Sequence, residues 1–312
     1  MLSIVIPCYQ RTDLLAACLR SVTCHAPAGT EVIVVDDAST GGQVGRVASD
    51  FAGVRGLRLR RRSGFYMAAN AGIRASTGNI IELLNDDTEV QAGWADAALA
   101  CFADPDIAAV APLVLTGPDG TVVDSAGDRY YLGGVAGKRG HGQPLGPAYL
   151  QGGDVFGASA SSAFYRRDAL LDVGAFPEEF GAYFEDVDVS FRLHWAGYRI
   201  LYEPASRVWH RLSASHGRPA RHLLEQQSRN EERVFWRNLP NRDLLRALPW
   251  HAAVLAAKAC RRWQDGELLP FALGRLQALS EMANVVRHRR RLRRANAYPD
   301  AAAWGVEPRF WG

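Results

Sequence analysis

Two apolar runs in the first third of the chain each end in a pair of adjacent aspartates. The run EVIVV leads into Asp36-Asp37, and the run IIELL leads through an asparagine into Asp86-Asp87. Adjacent carboxylates raise each other's pKa and destabilise a buried strand end unless positive charge compensates them. The sequence therefore raises the question of why a destabilising strand end of this kind occurs twice.

Strand and helix patterns alternate over about the first 115 residues, which is typical of parallel βαβ units. In an open α/β sheet, ligands bind outside the carboxyl ends of the strands, where both aspartate pairs lie. A divalent cation offsets carboxylate repulsion and binds phosphate oxygens, so the pattern predicts a metal-assisted phosphate or nucleotide site. The alternative is that each pair caps the helix that follows it. The predicted strands are 2–9, 30–37, 57–62, 79–86 and 107–115, and the predicted helices are 12–26, 43–52, 65–76 and 94–103.

The second half of the chain begins with a change in composition. Residues 116–153 are rich in glycine and proline, and 137–147 within them has the composition of a mobile loop. Order then returns, with a small-residue strand predicted at 155–165 and a helix near 186–197. After a further strand that begins at Arg199, the chain reads as helical from about residue 219 to 294.

Composition sets the class of protein. The 312 residues are 48% hydrophobic and 22% charged, which suits one large globular domain or two smaller ones. No window approaches the ~18 apolar residues of a membrane span, and the N-terminus lacks the basic start of a signal peptide. The five cysteines are odd in number and have no CxxC spacing, so we expect reduced thiols, no zinc site and a cytoplasmic location.

Basic charge is concentrated near the C-terminus. Residues 241–294 hold twelve lysines and arginines against four acidic residues, with Trp250 and Trp263 interleaved. The amphipathic segments within 244–294 fit helices lying at an anionic membrane surface, a hairpin packed on the rest of the protein, or an oligomer interface. Nucleic-acid binding is not expected, because this basic segment contains no recognised nucleic-acid motif.

Four segments together resemble the family 2 glycosyltransferases of GT-A fold, and most closely their rhamnosyltransferase-like branch. The segments are VIPCYQR (5–11), VVDDAST (34–40), AANAGIRASTGNIIELLNDDTEV (68–90) and FEDVDVSFRLHWAGYRI (184–200). The resemblance implies an α/β fold with a Rossmann-like, mostly parallel sheet flanked by helices. It also implies a catalytic domain over 1–240, with a nucleotide-binding half (1–115) and an acceptor half (116–240), followed by a basic amphipathic helical extension over 241–312.

The same resemblance implies an activity. Such enzymes transfer a sugar, here with rhamnose as a candidate, from a UDP- or dTDP-linked donor, with inversion and with Mn²⁺ or Mg²⁺ as cofactor. The acceptor would be a glycan or a polyprenyl-linked glycan in cell-envelope polysaccharide synthesis. A polyprenyl-linked acceptor would suit peripheral contact of residues 244–294 with the inner face of the plasma membrane.

The resemblance assigns nucleotide-binding roles residue by residue. Asp37 matches the aspartate that contacts the base, and a carboxylate can accept the imide N–H of uracil or thymine. Asp36 ranks second, because it is equally suited to a turn, and Asp86 would face the ribose. The further candidates near the nucleotide are Pro7, Tyr9, Arg62, Gly64 and Asn70.

The metal and catalytic roles follow in the same way. Asp87 would ligate the ion together with His210, although Asn85 replaces the first aspartate of the family's Asp-x-Asp motif. Asp186 would be the general base, with Glu185 beside it, because an acceptor hydroxyl must lose its proton as the new bond forms. The alternative is that both acids favour a helix N-terminus. The candidates for the sugar and acceptor channel are Gly157, Ala158, Ser159 and Trp209.

Three rivals remain at the level of sequence. A nucleotidyltransferase would also bind a metal ion at the ends of strands. Such enzymes usually have a glycine-rich loop after the first strand, however, and VIPCYQRTD has no glycine. A processive polysaccharide synthase carries Gln-x-x-Arg-Trp, whereas Arg229 is followed by Asn230 here. The non-enzyme rival is an inactive nucleotide-sugar-binding or membrane scaffold module, which would bind the donor without turnover.

Overall fold

The computed structural model describes residues 1–211, 220–295 and 300–311. The strands in these residues are β1 (Leu2–Cys8), β2 (Glu31–Asp36), β3 (Val54–Arg58), β4 (Ile80–Leu84), β5 (Thr88–Val90), β6 (Ile107–Thr116), β7 (Val122–Ser125), β8 (Asp128–Tyr131), β9 (Val135–Lys138), β10 (Gly153–Asp154), β11 (Ser162–Arg166), β12 (Arg199–His210) and β13 (Val306–Glu307). The α-helices are α1 (Thr12–His25), α2 (Gln43–Ser49), α3 (Phe65–Ala75), α4 (Trp94–Cys101), α5 (Arg167–Asp172), α6 (Glu185–Trp195), α7 (Arg221–Asn238), α8 (Asn241–Gln264), α9 (Leu268–Ser280) and α10 (Met282–Ala295).

The main sheet is mixed, in the order β10-β12-β6-β11-β4-β1-β2-β3. Strands β3, β2, β1 and β4 are parallel, as the alternating sequence pattern predicts. Strand β11 runs antiparallel to both β4 and β6 and so divides the sheet. Because β1, β2 and β4 are buried along nearly their whole length, they read as continuous apolar runs, which is typical of strands covered by helices on both faces.

The glycine-rich segment is more ordered than its composition suggests. The predicted mobile loop at 137–147 is wrong in its first part, because β9 extends to Lys138 and pairs with β8. Strand β13, from the C-terminal tail, pairs in parallel with β8 and completes a small second sheet. The pairing of β13 with β8 joins residues far apart in sequence, which local composition does not reveal.

Two predicted strands also differ from the structure. Of the predicted strand 155–165, only 162–165 belongs to a strand, because the preceding residues form a loop beside α6. The edge strand expected at 57–62 is shifted to 54–58. The helices predicted at 65–76, 94–103 and 186–197 are confirmed to within a few residues.

The C-terminal helices cover α7. Helix α9 packs along α7 and contacts both α8 and α10, as the packed-hairpin alternative requires. A hydrophobic core is shared by Phe191 of α6, Phe235 of α7, Leu292 of α10 and Trp304 of the tail. The proposed division at residue 240 is therefore crossed by a continuous core. Among the described residues, no helix has the length and apolar character that crossing a bilayer requires.

Helices α7 and α9 approach each other most closely at Gly274. A Cβ atom there would lie 2.2 Å from the carbonyl oxygen of Glu225 and 2.8 Å from the backbone nitrogen of Arg229. We predict that Gly274→Ala destabilises the protein by about 1–3 kcal/mol, because backbone atoms of a neighbouring helix have to move. The matched control is Gly45→Ala in α2, where the space is open and alanine should add about 0.5–1 kcal/mol. Urea unfolding measures both, and equal stabilisation by the two changes would disprove the close crossing.

Candidate active site

Three parallel strands deliver the aspartate pairs to one edge of the sheet. Strand β1 lies between β2 and β4, and its last residue, Cys8, is paired with Asp36. The pairing of Val5 with Leu83 puts the end of β4 at the same level. Both pairs therefore leave the sheet at the carboxyl edge, on either side of the end of β1.

Asp87 begins a relay of hydrogen bonds that runs through His210 to Asp124. Its Oδ1 lies 3.1 Å from Nε2 of His210, and Nδ1 of His210 lies 3.0 Å from Oδ2 of Asp124. Burial alone would lower the pKa of His210, but the hydrogen bonds to Asp124 and Asp87 raise it to about 9. Lys138 donates to the same Asp124 oxygen at 2.9 Å, which helps hold the pKa of Asp124 well below its usual range.

Arg11 supplies the remaining positive charge. Its guanidinium bridges Asp86 and Asp87, with Nη1 at 3.3 Å from Oδ1 of Asp86 and 3.1 Å from Oδ2 of Asp87. Burial raises the pKa of Asp86 to about 6, against the lowering effect of Arg11. The pKa of Asp87 is lowered overall, because contacts with His210 and Arg11 outweigh its burial. At the edge of β4, positive side chains therefore already neutralise the two aspartates.

Asp37 organises the loop after β3. Its two carboxylate oxygens accept hydrogen bonds from the backbone N–H groups of Ser63 at 2.7 Å and Gly64 at 2.8 Å. The guanidinium of Arg62 stacks over the ring of Tyr9 at 4.2 Å. The structure thus brings Asp37, Gly64, Arg62 and Tyr9 into one neighbourhood. Each carboxylate oxygen keeps a second lone pair for a ligand.

Other residues expected near the nucleotide are engaged elsewhere. Asp36 accepts hydrogen bonds from the backbone of Ser39 and from Arg58, which is the turn role that the sequence left open. Pro7 is buried within β1, one position before the strand end. The buried amide of Asn70 exchanges hydrogen bonds with the backbone of Phe176, at 2.8 and 3.1 Å, and so joins α3 to the chain before α6.

Asp186 lies in the first turn of α6 and faces the small-residue loop. Its Oδ2 accepts a hydrogen bond from the backbone N–H of Ala160 at 3.2 Å. The loop approaches the helix so closely that a Cβ on Gly157 would lie 2.6 Å from Oγ of Ser190. Ala158 and Ser159 are buried beside it. Burial raises the pKa of Asp186 despite the hydrogen bonds it accepts.

Asp128, which the sequence analysis did not select, is electrostatically coupled to Asp186. Burial and the charge of Asp186 raise the pKa of Asp128 well above its usual range, and Lys138 opposes this. Lys138 acts in the same direction on Asp186 and also bonds Asp124. The positive charge of Lys138 therefore acts on the relay, through its bond to Asp124, and at longer range lowers the pKa of both Asp128 and Asp186. The only signal in the sequence was the spacing of two aspartates within TVVDSAGD.

Glu185 is placed differently from its neighbour. Its side chain is 0% exposed, and neither carboxylate oxygen has a hydrogen-bond partner among the described residues. Burial raises the pKa of Glu185 to about 9, and the charges of Asp186 and Asp188 add to this effect. The structure therefore points this predicted catalytic residue into the interior, where it holds a proton at neutral pH.

Trp209 and His210 are consecutive in β12, so their side chains leave opposite faces of the strand. His210 joins the aspartates, whereas the indole N–H of Trp209 donates to the carbonyl of Gly117 at 3.0 Å. The structure does not bring Trp209 together with the rest of the site, and simple alternation along the strand was the available signal.

Several residues beside the candidate site have a strained backbone. Among the described residues, the non-glycine positions with positive φ include Gln10 and Ala38 at the strand ends, and Tyr183 and Phe184 just before Asp186. Such conformations persist only where surrounding contacts enforce them. Asn230 of α7 enforces the conformation of the segment before Asp186, since its amide donates to the carbonyls of Phe180, Ala182 and Tyr183.

The donor groups at Asp87 fit a divalent cation. Among the described residues, no group of three or more histidine, cysteine or acidic side chains is arranged as a ready-made metal cage. Asp87 and His210 would offer a carboxylate and an imidazole, provided that the ion displaces the proton that a pKa of about 9 keeps on His210, and Asp124 would orient the ring through its other nitrogen. The guanidinium of Arg11 shows that the same carboxylates already hold a positive group.

Comparison with known proteins identifies the class. The profile of Glycosyl transferase family 2 matches residues 3–174. The chain is 30% identical over 247 residues to the N-acetylglucosaminyl-diphospho-decaprenol L-rhamnosyltransferase of Mycobacterium tuberculosis, over 72% of this chain and 80% of that protein. It is 32% identical over 186 residues to the pre-mycofactocin glycosyltransferase of the same species, over 58% of this chain but 37% of that protein.

Solved structures confirm the expected fold. GalNAc-T7 with UDP, GalNAc and Mn²⁺ superposes with a TM-score of 0.59 at 20% identity, over 75% of this chain and 47% of that one. The mannosyltransferase PcManGT from Pyrobaculum calidifontis, in complex with GDP-Man and Mn²⁺, gives a TM-score of 0.56 at 21% identity, over 95% and 86%. The architecture is that of a GT-A glycosyltransferase. The chain belongs to glycosyltransferase family 2, which confirms the resemblance found in its sequence.

The burial of Glu185 predicts a pH-dependent effect on stability. An acid whose pKa rises on folding keeps its proton in the folded protein while the unfolded chain loses it. Stability is therefore lost as the pH rises from the ordinary glutamate range towards about 9. We predict that Glu185→Gln melts close to the parent at about pH 4 but at least several degrees higher at about pH 8. Exposed Asp119→Asn should show no such trend, and a pH-independent difference for Glu185→Gln would contradict the assignment.

Proposed function

We propose that the protein is an inverting, metal-dependent glycosyltransferase that uses a pyrimidine nucleoside diphosphate sugar. The observation that carries the proposal is the relay Asp87–His210–Asp124, with the carboxylate of Asp186 on α6 as a further, separate acid. These residues would provide a cation-binding edge and a separate base, which are the two elements that a single displacement at a sugar carbon requires.

Asp87 and His210 would hold the divalent ion, with Asp124 fixing the orientation of the imidazole ring. The bound ion would neutralise the charge that develops on the leaving diphosphate. An imidazole ligand suits Mn²⁺ better than Mg²⁺, which prefers oxygen donors, so we propose Mn²⁺ as the first choice. Arg11 would turn from the two aspartates to the diphosphate, since both are anions within reach of its side chain.

Asp186 would act as the general base. As the acceptor oxygen bonds to the anomeric carbon, the acceptor proton passes to Asp186 and the bond from that carbon to the diphosphate oxygen breaks. The buried setting that raises the pKa of Asp186 also makes it a better proton acceptor. Gly157, Ala158 and Ser159 would line the sugar channel, because the loop that they form lies directly against the start of α6.

The base of the donor would lie between Asp37 and Tyr9. A carboxylate accepts the imide N–H of uracil or thymine, which supports a UDP- or dTDP-linked donor. Rhamnose as the sugar and a polyprenyl-linked glycan as the acceptor are supported by similarity to the mycobacterial decaprenol rhamnosyltransferase. A lipid-linked acceptor in cell-envelope synthesis would place the enzyme at the cytoplasmic face of the membrane.

Removing the base should abolish turnover but not donor binding. We predict that Asp186→Asn lowers kcat by about 10²–10⁴-fold, because the acceptor hydroxyl then keeps its proton in the transition state. The assay measures transfer from UDP- or dTDP-sugars, with UDP affinity measured in parallel. Asp168→Asn is the matched control, since Asp168 also lies in the first turn of a helix but its side chain is 88% exposed. Parent-like turnover in Asp186→Asn would remove Asp186 from this role.

Nucleotide and metal should stabilise the protein together. We predict that UDP with Mn²⁺, at about 100 times its Kd, adds about 2.7 kcal/mol to the free energy of unfolding. Asp87→Asn should lose the Mn²⁺-dependent part of this gain, whereas the exposed Asp96→Asn should keep it. A thermal-shift titration of UDP, dTDP and GDP with and without Mn²⁺ measures the effect. Stabilisation by GDP alone would count against the pyrimidine assignment.

A further inference from the structure

Helix α8 exposes an apolar face to solvent. Leu245 is 70% exposed, Trp250 54% and Trp263 73%. Leu245, Ala252, Ala256 and Trp263 recur at helical spacing along the same side, while His251 is buried on the opposite side against Glu232. Between Arg246 and Arg261 the only ammonium group, that of Lys258, bonds Glu231 of α7. The outward side of α8 therefore carries no charge over its central turns.

Helix α9 continues this surface. Its only charged residue, Arg275, is buried and bonds Glu231 and Glu232 of α7. Its outward side consists largely of leucines, of which Leu269 and Leu276 are 66% and 62% exposed. Helices α8 and α9 contact each other and are joined by residues 265–267 alone. We call the outward side of this hairpin the docking face, and define it by Leu245, Trp263, Leu269, Leu273 and Leu276, with Trp250 at its margin because it lies five residues after Leu245 on α8.

The ends of the docking face are basic. Arg242 and Arg246 are exposed at the start of α8, and the side chain of Arg261 is 75% exposed near its end. Arg287 and Arg290 are exposed on α10, which packs beside α9. Residues 241–294 thus concentrate positive charge, in a chain whose overall formal charge is only +3. Apolar leucines and tryptophans flanked by arginines are the composition of helices that lie in a membrane interface.

We propose that the docking face binds the surface of an anionic lipid bilayer. The leucines and tryptophans would enter the boundary between headgroups and acyl chains, and the arginines would contact anionic headgroups. A second copy of this chain fits less well, because a two-fold interface through the same face would set the basic ends of one hairpin against those of the other. Large exposed apolar patches on soluble domains mark interaction sites, so some occupant is expected.

The docking face is mechanically connected to the cleft. Ser228 of α7 donates to the carbonyl of Phe271 in α9 at 2.7 Å, and Asn230, on the same helix, holds the strained carbonyls before Asp186. A bilayer on the outer side of α9 would therefore be held in a fixed orientation relative to the general base. The inference deepens the proposed function, and rests on it only for the identity of the lipid-linked acceptor.

Sedimentation with lipid vesicles tests the proposal on the full chain. We expect the parent to bind vesicles of phosphatidylcholine with phosphatidylglycerol much more tightly than phosphatidylcholine alone. The double variant Trp263→Glu, Leu276→Glu should lose binding by at least about tenfold, because two charges enter the apolar interface. The matched control is Leu150→Glu, an exposed leucine (47%) outside the docking face, which should bind as the parent does.

A second pair of variants tests how much positive charge contributes to vesicle binding. Arg246→Gln at the end of the docking face should weaken binding to anionic vesicles about fivefold. Arg20→Gln, an exposed arginine of α1, should leave it unchanged. Melting temperatures and UDP affinity, measured on every variant, show that the fold and the nucleotide site are intact. Because sedimentation requires no donor, metal or acceptor, its result is independent of whether the proposed transfer reaction is correct.

Three results would overturn the proposal. The first is a parent protein that does not bind anionic vesicles. The second is parent-like binding by Trp263→Glu, Leu276→Glu, since this would exclude the docking face as the contact. The third is a parent dimer, seen by light scattering, that the same double variant converts to a monomer while vesicles remain unbound. This last result would assign the docking face to a second copy of the chain.

Discussion

Buried carboxylates are destabilising unless positive charge or hydrogen bonds compensate them, and this requirement organises the carboxyl edge of the sheet. Arg11 and His210 compensate Asp86 and Asp87 at the end of β4, and Lys138 compensates Asp124 behind them. Each positive group comes from a different part of the chain, so the neutralisation holds the helix after β1, the small second sheet and β12 together. A cation at Asp87 would neutralise the same carboxylate that Arg11 and His210 neutralise in this structure.

Asp186, the proposed base, is positioned by a different principle. The residues before Asp186 are held in strained conformations by Asn230, and α7 is in turn covered by α9. Strain of this kind is stable only where packing enforces it. The C-terminal helices therefore support the residues before Asp186 mechanically, and the shared core around Phe235 and Trp304 makes these helices part of the same folded unit.

The sequence predicted the parts of the fold that local pattern determines. The parallel strands and the carboxyl-edge position of Asp37 and Asp87 followed from apolar runs that end in acids. Asp124, Asp128 and Lys138 were missed because they lie on short strands in a glycine-rich segment whose composition predicts a loop, and because one of these strands also has a distant partner. Strand β8 reaches β13 in the C-terminal tail. The acidic side chain of Glu185 suggested a catalytic role in the sequence. Its carboxyl group is instead fully buried, and among the described residues it has no hydrogen-bond partner.

Diffraction data collected at the manganese absorption edge, from crystals grown with UDP and Mn²⁺, test the central claim most directly. The account predicts one anomalous peak in contact with Asp87 and His210, with the uracil ring beside Asp37 and Tyr9. A peak remote from Asp87, or a nucleotide bound away from the carboxyl edge of β1, β2 and β4, would contradict it.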